Sequence, residues 1–426
     1  MHQGLDVVRQ FAWSVLLPVI LCLGSVWSPN GANATEYYVG TTGNDANPGG
    51  PSQPFQTIQK GMSVLQPGDT LYLRQGTYTE KIDPNYMTLP SGTSWSNAIT
   101  IAGYPGEKAT IRNGINIQDN GNSSIPAYLI FDNFIVRNSD ANAFRVGGNA
   151  HHIRLSNSDV QSGRTNTISI AYTTSDVQVI NCDIHDSPVE FVPEWGVSTG
   201  TYGLYINGNN MLIDGNRIYN NTGYGIHLYG GINAASNNIV RNNSIYNNCL
   251  NDGTRSQAAG GVIITSGSNN SFYNNLVYNH TGSFCGPAVS LGYADNSAYN
   301  NTIYGNKGFG LELGASTTGM IVRNNILYGN GRNSVVDWGS INPVIDHNLI
   351  DVNPQFVNAA ANDFSLQAGS PAIDAGVAIS LVTTDIKGVS RPQGAAYDVG
   401  TYEYGTGAKS TPRPTPRNLR LLPVSP

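Results

Sequence analysis

The chain has 426 residues, of which 12% are charged and 39% are hydrophobic, and its formal net charge is −6. This low charged fraction excludes charged coiled coils and charge-rich disordered proteins, and the excess of acidic residues argues against a nucleic acid as partner. Gly occurs 49 times and Asn about as often, so residues that tolerate tight turns are unusually frequent.

Residues 1–34 are predicted to be a signal peptide. Arg9 precedes an apolar run from Phe11 to Val26, and Ala32–Ala34 has the small residues of a cleavage site. The apolar run is too short and too interrupted for a membrane span. We therefore expect a secreted or periplasmic chain that begins at Thr35 and is not inserted in a membrane after cleavage.

A five-residue motif with Asn first and Tyr fourth recurs in the second half of the chain. Its copies begin 27, 32, 26 and 24 residues apart, at Asn216, Asn243, Asn275, Asn301 and Asn325. A second motif runs in phase with the first, at 203–206, 225–228, 261–264, 288–291 and 310–313. Short alternating runs separated by Gly and Asn indicate half-buried strands, and this repeat length is typical of a parallel β-solenoid.

The Asn of the first motif is expected at one corner of every coil. Asn tolerates the left-handed backbone of a tight bend, and stacked side-chain amides can form hydrogen bonds along a column. We therefore predict that the same asparagines make the bend and link successive coils.

Motifs at both ends of the chain are familiar from one group of proteins. They are Tyr37–Val39, Gly43–Asp45, Pro54–Lys60, Pro67–Thr70 and Gly76–Tyr78 at the front, with Asp363–Leu366, Gly369–Gly376 and Asp398–Tyr404 at the far end. With the repeats, they give a chain that resembles the right-handed parallel β-helix proteins of the pectate lyase superfamily, such as secreted bacterial polysaccharide lyases. The resemblance implies an all-β fold, a single-stranded right-handed parallel β-helix.

The resemblance also implies a domain order. Residues 35–95 would form an N-terminal cap and the first strands, with a capping helix at Thr57–Leu65. The β-helix repeats would cover residues 96–350, and residues 351–405 would be a C-terminal segment that closes the open stack. Residues 406–426, rich in Pro and basic residues, are predicted to be a flexible tail.

Three cysteines remain after removal of the signal peptide. Cys249 and Cys285 follow the tyrosines of two successive repeats, so both lie in the same loop of adjacent coils. We predict a disulfide between them, as an oxidising compartment allows. Cys182 aligns with the Asn column and should be buried and free.

Strand alternation predicts which side chains face solvent. Because Ile226 and Leu228 must point inward, His227 points outward, and the same phase in each repeat gives an outward column. The column consists of Arg145, Ser169, Tyr205, His227, Ile263, Ser290 and Glu312. Long loops at 186–201 and 248–260 flank the short loop before His227, which makes this face the candidate cleft. The pectate lyase resemblance implies the same face.

The candidate site residues come from this face and its loops. Candidate catalytic residues are His227, Tyr205, Arg145 and Arg255, which offer a base, a proton donor and cations for a uronate carboxylate. Candidate substrate-binding residues are Tyr229, Asn207, Trp195, Glu190, Glu194 and Glu312. No cofactor is expected, because the column carries a single carboxylate and calcium needs several oxygen ligands.

Three functions remain open from the sequence. The leading hypothesis is a lyase that cleaves an acidic polysaccharide by β-elimination. A glycoside hydrolase could instead use Glu190 or Glu194 with Glu312 as paired carboxylates. The third alternative is a non-catalytic glycan-binding or cell-surface protein. We expect a monomer whose partner is a polysaccharide.

Overall fold

The computed structural model describes residues 34–121, 125–137, 141–192, 197–230, 235–250, 259–283 and 285–405, and of residues 189–200 only backbone is described. The predicted signal peptide, apart from Ala34, and the predicted tail lie outside these residues. None of the helices in the described part of the chain has the length and apolar character of a membrane span.

Three parallel sheets, here called A, B and C, form the solenoid between Glu36 and Ile350. Sheet A consists of Glu36–Val39, Thr70–Leu73, Ile99–Gly103, Ala127–Asp132, His151–Ser156, Gln178–Ile180, Leu212–Asp214, Ile239–Arg241, Ser271–Tyr273, Ser297–Tyr299, Ile321–Arg323 and Val344–Asp346. Sheet B consists of Gly76–Tyr78, Ala109–Ile111, Phe134–Val136, Asp159–Gln161, Asp183–His185, Arg217–Tyr219, Ser244–Tyr246, Leu276–Tyr278, Thr302–Tyr304, Ile326–Tyr328 and Leu349–Ile350. Sheet C consists of Ile115–Ile117, Phe144–Val146, Asn166–Ile170, Tyr202–Ile206, Ile226–Leu228, Val262–Ile264, Val289–Leu291, Leu311–Leu313 and Val335–Asp337.

Each coil of the chain visits the sheets in turn, and each strand pairs in parallel with its counterpart one coil away. Most strands have three residues, and in a typical strand of sheet C the first and third point into the solenoid. Ile226 and Leu228 are fully buried, as the alternation predicts, and the middle residue between them faces outward. The predicted right-handed parallel β-helix is confirmed.

A short helix, Ile58–Met62, packs on the first coil. Thr57 caps it by accepting a hydrogen bond from the backbone N–H of Lys60 (3.1 Å). A Cβ at Gly61 would lie 2.7 Å from Leu71, so glycine is what lets the helix approach the first strands this closely. Further short elements are the 3-10 helices Trp95–Asn97 and Ala359–Ala361 and the antiparallel pairs Val189–Val192 with Val197–Gly200 and Phe356–Asn358 with Asp363–Leu366.

A ladder of asparagines joins the coils at the corner between sheets A and B. Its members are Asn216, Asn243, Asn275, Asn301, Asn325 and Asn348. In each neighbouring pair, the first asparagine donates both its side-chain amide and its backbone N–H to the side-chain oxygen of the second. Between Asn243 and Asn275 these two hydrogen bonds measure 2.9 and 3.0 Å. The predicted hydrogen-bonded column is therefore present.

The prediction that these asparagines also make the bend is wrong. The left-handed residue is the one before each ladder residue, for example Asn242 (φ 56°) and Asn274 (φ 54°). The two roles are incompatible in one residue, because the side chain that follows the bend points into the solenoid while the one at the bend points out. In pairs such as Asn242–Asn243, the first asparagine therefore makes the bend and the second forms the ladder.

His280 replaces asparagine in a second ladder, at the corner between sheets B and C. Its Nδ1 accepts a hydrogen bond from the backbone N–H of Asn248 (3.0 Å), and the backbone N–H of His280 donates to the side-chain oxygen of Asn306 (3.1 Å). Its Nε2 is buried and has no hydrogen-bond partner among the described residues. Burial lowers the pKa of His280 to about 4, so the ring stays neutral in the folded protein.

We expect His280→Asn to reduce the loss of stability in acid. The unfolded histidine binds a proton near pH 6.5 and the folded one near pH 4, so the wild-type protein loses stability as pH falls between these values, by about 2 kcal/mol at pH 5. Urea unfolding at pH 7 and pH 5 measures this loss. The exposed His347→Asn is the control, and an equal loss in the His280→Asn variant would contradict the assignment.

The C-terminal segment lies along the side of the solenoid. The side chains of Asn274, Asn300 and Asn324, which make the bends described above, donate to backbone carbonyls of this segment. Phe364 packs on the outward rings of sheet B, with its centroid 5.0 Å from that of Tyr278. At the last coil, where closure was expected, Val344 and Ile350 remain exposed.

The disulfide between Cys249 and Cys285 is present, and Cys182 is free and buried. Cys182 also occupies the head of the first ladder, where its N–H donates to Asn216 (2.9 Å). Cross-linking residues 36 apart should stabilise the fold by about 4 kcal/mol in the chain-entropy model. Both cysteine predictions are confirmed.

Thiol titration of the protein that starts at Thr35 should count one thiol after denaturation without reductant, and none before it. The native protein should not react, because burial raises the pKa of Cys182 to about 12 and excludes the reagent. A Cys182→Ser variant should then show none in either state. Three thiols in the denatured wild-type protein would contradict the disulfide.

Candidate active site

His227 and Tyr205 lie directly opposite each other on adjacent strands of sheet C. Their ring centroids are 5.3 Å apart and the rings meet edge to face. The whole predicted outward column is in register, from Arg145 through Ser169 and Tyr205 to Glu312. The column forms because the strands of sheet C share the same inward–outward alternation and pair in register. The repeated motif makes this alternation visible in the sequence.

Four tyrosine rings surround His227 and are here called the tyrosine cluster. Their centroids lie 5.0 to 5.8 Å from that of the imidazole, and they belong to Tyr202, Tyr205, Tyr229 and Tyr224. Sequence reasoning missed Tyr202 and Tyr224, because it took one outward residue from each strand. The available signal was that each precedes a chosen residue by three positions.

The tyrosine cluster shifts the acid–base properties of His227 and Tyr205 in opposite directions. Burial lowers the pKa of His227 to about 4, because the charged imidazolium loses hydration. The same burial, with the neighbouring Tyr202 and Tyr229 hydroxyls, raises the pKa of Tyr205. At neutral pH the site therefore holds an unprotonated imidazole next to a protonated phenol, which is the combination that a base and an acid require.

The hydrogen bonds of His227 identify its free nitrogen. Its Nε2 lies 3.2 Å from the hydroxyl of Thr265, and that hydroxyl lies 3.2 Å from the carbonyl of Leu228. A carbonyl only accepts, so the hydroxyl donates to it and accepts from the Nε2–H. The lone pair is thus on Nδ1, which is buried and has no partner among the described residues.

Two further predicted residues lie at this centre. The Asn207 side chain lies close enough to the Tyr205 hydroxyl to lower its pKa, which partly offsets the effect of burial. Tyr229 stacks on Tyr205 with centroids 6.0 Å apart and is 43% exposed. Tyr229 is therefore the ring of the tyrosine cluster that is most open to solvent.

Arg145 and Glu312 lie at opposite ends of the column, each three strands from His227. Three strand spacings correspond to about 14 Å, so neither reaches the group that His227 contacts. Arg145 donates to the side-chain oxygens of Asn116 and Gln118 on the preceding coil.

Glu312 is held by two hydrogen bonds. Ser290 donates to one carboxylate oxygen (2.7 Å), and the indole N–H of Trp338 donates to the other (3.1 Å). Its observed contacts therefore fix the Trp338 ring.

The loop candidates are only partly described. Glu190 lies in the antiparallel hairpin Val189–Val192 with Val197–Gly200, and its side chain is outside the described part. Glu194, Trp195 and Arg255 lie outside the described residues. The disulfide between Cys249 and Cys285 links the start of the 248–260 loop to the next coil.

The side chains described do not fit a calcium site. No group of three or more His, Cys, Asp or Glu side chains in the described residues is placed to hold a metal ion. The one carboxylate of the outward column, Glu312, is already bonded through both oxygens. This donor set falls short of the six to eight oxygens that calcium takes.

Two family models match the chain. Residues 37–188 match one described as Pel9A-like, right handed beta helix region, and residues 195–350 match one described as right handed beta helix region. Among curated proteins, the uncharacterized protein YwoF of Bacillus subtilis (strain 168) is 27% identical, over 78% of this chain and 78% of that protein.

Solved structures show the same fold at low sequence identity. Pectate lyase Pel9A has a TM-score of 0.61 and 20% identity, covering 87% of this chain and 96% of its own. The structure of XylC in complex with xylose has a TM-score of 0.55 and 10% identity, covering 87% of this chain and 99% of its own. A rhamnogalacturonan lyase has a TM-score of 0.51 and 16% identity, covering 76% of this chain and 91% of its own.

Proposed function

We propose that this chain, a right-handed parallel β-helix protein similar to pectate lyase Pel9A, is an exported lyase that cleaves an acidic polysaccharide by β-elimination. The observation that carries this proposal is the neutral His227 beside the protonated Tyr205 on the outward face of sheet C. Two structures with this fold are named as lyases, of pectate and of rhamnogalacturonan. The signal-like N-terminal sequence and the disulfide support export.

His227 acts as the base in the proposed reaction. Its Nδ1 takes the proton from the sugar carbon next to the carboxylate, and the C–H electron pair forms the new carbon–carbon double bond. The depressed pKa keeps this nitrogen unprotonated throughout the neutral range. Because this nitrogen is buried, the proposed reaction requires the surrounding tyrosine rings to move aside, and Tyr229, which is 43% exposed, is the ring most open to solvent.

Tyr205 acts as the acid. The carbon–oxygen bond to the leaving sugar breaks as the double bond forms, and the phenol proton passes to the leaving oxygen. The raised pKa of Tyr205 keeps that proton available. Arg255 is the proposed cation for the substrate carboxylate, since Arg145 lies three strands away and contacts Asn116 and Gln118 instead.

The products distinguish this proposal from the alternatives. The purified protein is incubated with polygalacturonate, rhamnogalacturonan, alginate, chondroitin sulfate and xylan. Elimination creates an unsaturated sugar that absorbs in the ultraviolet, and we expect this product from one of the four acidic polymers. New reducing ends without absorbance would indicate hydrolysis by the loop carboxylates. Binding without any product would indicate a glycan-binding protein, and either outcome would overturn the lyase proposal.

A further inference from the structure

Exposed aromatic side chains follow every second strand of sheet C. They are Tyr172, Tyr229, Tyr293 and Trp338, here called the aromatic track, and each is between 43% and 57% exposed. Each lies one or two residues after the end of its strand, where the chain leaves sheet C. Tyr86, near the N-terminal helix, is the other strongly exposed aromatic side chain in the described residues.

The spacing of the aromatic track is regular. Its four strands are the third, fifth, seventh and ninth of sheet C, so neighbouring rings are two strand spacings apart, about 10 Å. The track is therefore about 29 Å long and runs parallel to the solenoid axis. Tyr229 and Trp338 occupy the same register position, and Tyr172 and Tyr293 lie one residue further along the chain after their strands. The residues that align with Tyr229 and Trp338 on the other strands are Ala171, Asn207, Thr265, Gly292 and Gly314.

Two members of the track are held in place by the fold. The indole N–H of Trp338 donates to Glu312, which Ser290 holds from the other side. Tyr293 has a left-handed backbone (φ 72°), a conformation that is costly for a bulky residue and is concentrated at functional sites. Neither arrangement buries the ring, so both preserve an exposed aromatic face.

The aromatic track passes through the candidate active site. Tyr229 is a member of both, since it lies 5.6 Å from His227 and stacks on Tyr205. One member precedes it along the axis and two follow it. A ligand that extends along the track would cross the reaction centre within its length, with longer contacts on the Trp338 side.

We propose that the aromatic track binds a polysaccharide chain along the solenoid axis and stacks on alternate sugar rings. An aromatic ring presents a flat apolar face, which suits the C–H face of a pyranose. Two strand spacings match the advance of two linked pyranose rings in an extended chain. This inference rests on the proposed function for the identity of the ligand, and it adds that the enzyme binds internal stretches of long chains.

Affinity electrophoresis of the full chain carrying His227→Gln tests the track without turnover. Gels contain polygalacturonate, rhamnogalacturonan, alginate, chondroitin sulfate or xylan. Trp338→Ala and Tyr293→Ala should each weaken retardation about 3- to 10-fold in the gel that retards the parent, and the double variant should weaken it further. Tyr86→Ala is the matched control and should migrate as the parent does.

The outcomes separate the two proposals. Unchanged retardation of both track variants, or no retardation of the parent in any gel, would overturn the aromatic track. If the otherwise wild-type enzyme cleaves a polymer while Trp338→Ala leaves its KM unchanged, the track is wrong and the lyase proposal stands. If the track variants lose binding but no polymer is cleaved, the track stands and the lyase proposal falls.

Discussion

Replacing His227 by glutamine should lower turnover about 100-fold or more on the polymer that the wild-type protein cleaves, with little change in binding. Glutamine keeps the polarity of the side chain but cannot accept a proton near neutral pH. Tyr205→Phe should have a similar effect, since it keeps the ring that stacks on Tyr229 and removes only the hydroxyl. Initial rates of ultraviolet-absorbing product, at several substrate concentrations, give kcat and KM separately.

The pH profile provides an independent check on the same base. The pKa of His227 is lowered to about 4, and the unprotonated ring is the active form, so kcat/KM should be flat through neutral pH and fall as pH drops through about 4. An enzyme that uses an ordinary histidine would lose activity already near pH 6.5. Rates are measured after brief exposure to acid, with recovery at pH 7 confirming that the fold survives.

His347→Gln and Tyr86→Phe are the matched controls, because both residues are exposed and distant in sequence from the site. Both should leave turnover unchanged. If His227→Gln retains near-normal kcat, the assignment of the base is wrong, and Glu190 and Glu194 become the next candidates.

Asn275→Ala should produce the largest loss of stability, about 4 kcal/mol of unfolding free energy. The Asn275 side chain is fully buried, donates to Val240, Tyr273 and Asn301, and accepts two hydrogen bonds from Asn243. Alanine would leave the backbone N–H of Asn243 buried without its partner and would remove one of the two acceptors of the Asn243 side-chain amide, which keeps its bond to the Ile213 carbonyl. The carbonyl of Val240 would lose the Asn275 amide as a donor. Each such group costs about 1–3 kcal/mol.

Urea unfolding followed by circular dichroism measures this difference. Asn348→Ala is the control, since Asn348 is only half-buried at the end of the ladder and water can replace its bonds. Its loss should stay near 1 kcal/mol. Similar losses in the two variants would contradict the idea that the ladder stabilises through buried hydrogen bonds.

The sequence predicted those features that one coil imposes on the next. Parallel strands of equal phase must stack residue on residue, so the repeats revealed the outward column, the neighbours Tyr205 and His227, and the cysteines that meet across adjacent coils. The interval between copies of the motif was enough, because every coil repeats the same geometry.

Tertiary structure decided what does not repeat. The lateral position of the C-terminal segment depends on outward asparagines, such as Asn300, whose direction is set by the backbone at each bend. The low pKa of His227 depends on rings from three different strands and turns, which no single motif contains. Desolvation is the sum of all neighbours, and it appears only once the coils have stacked.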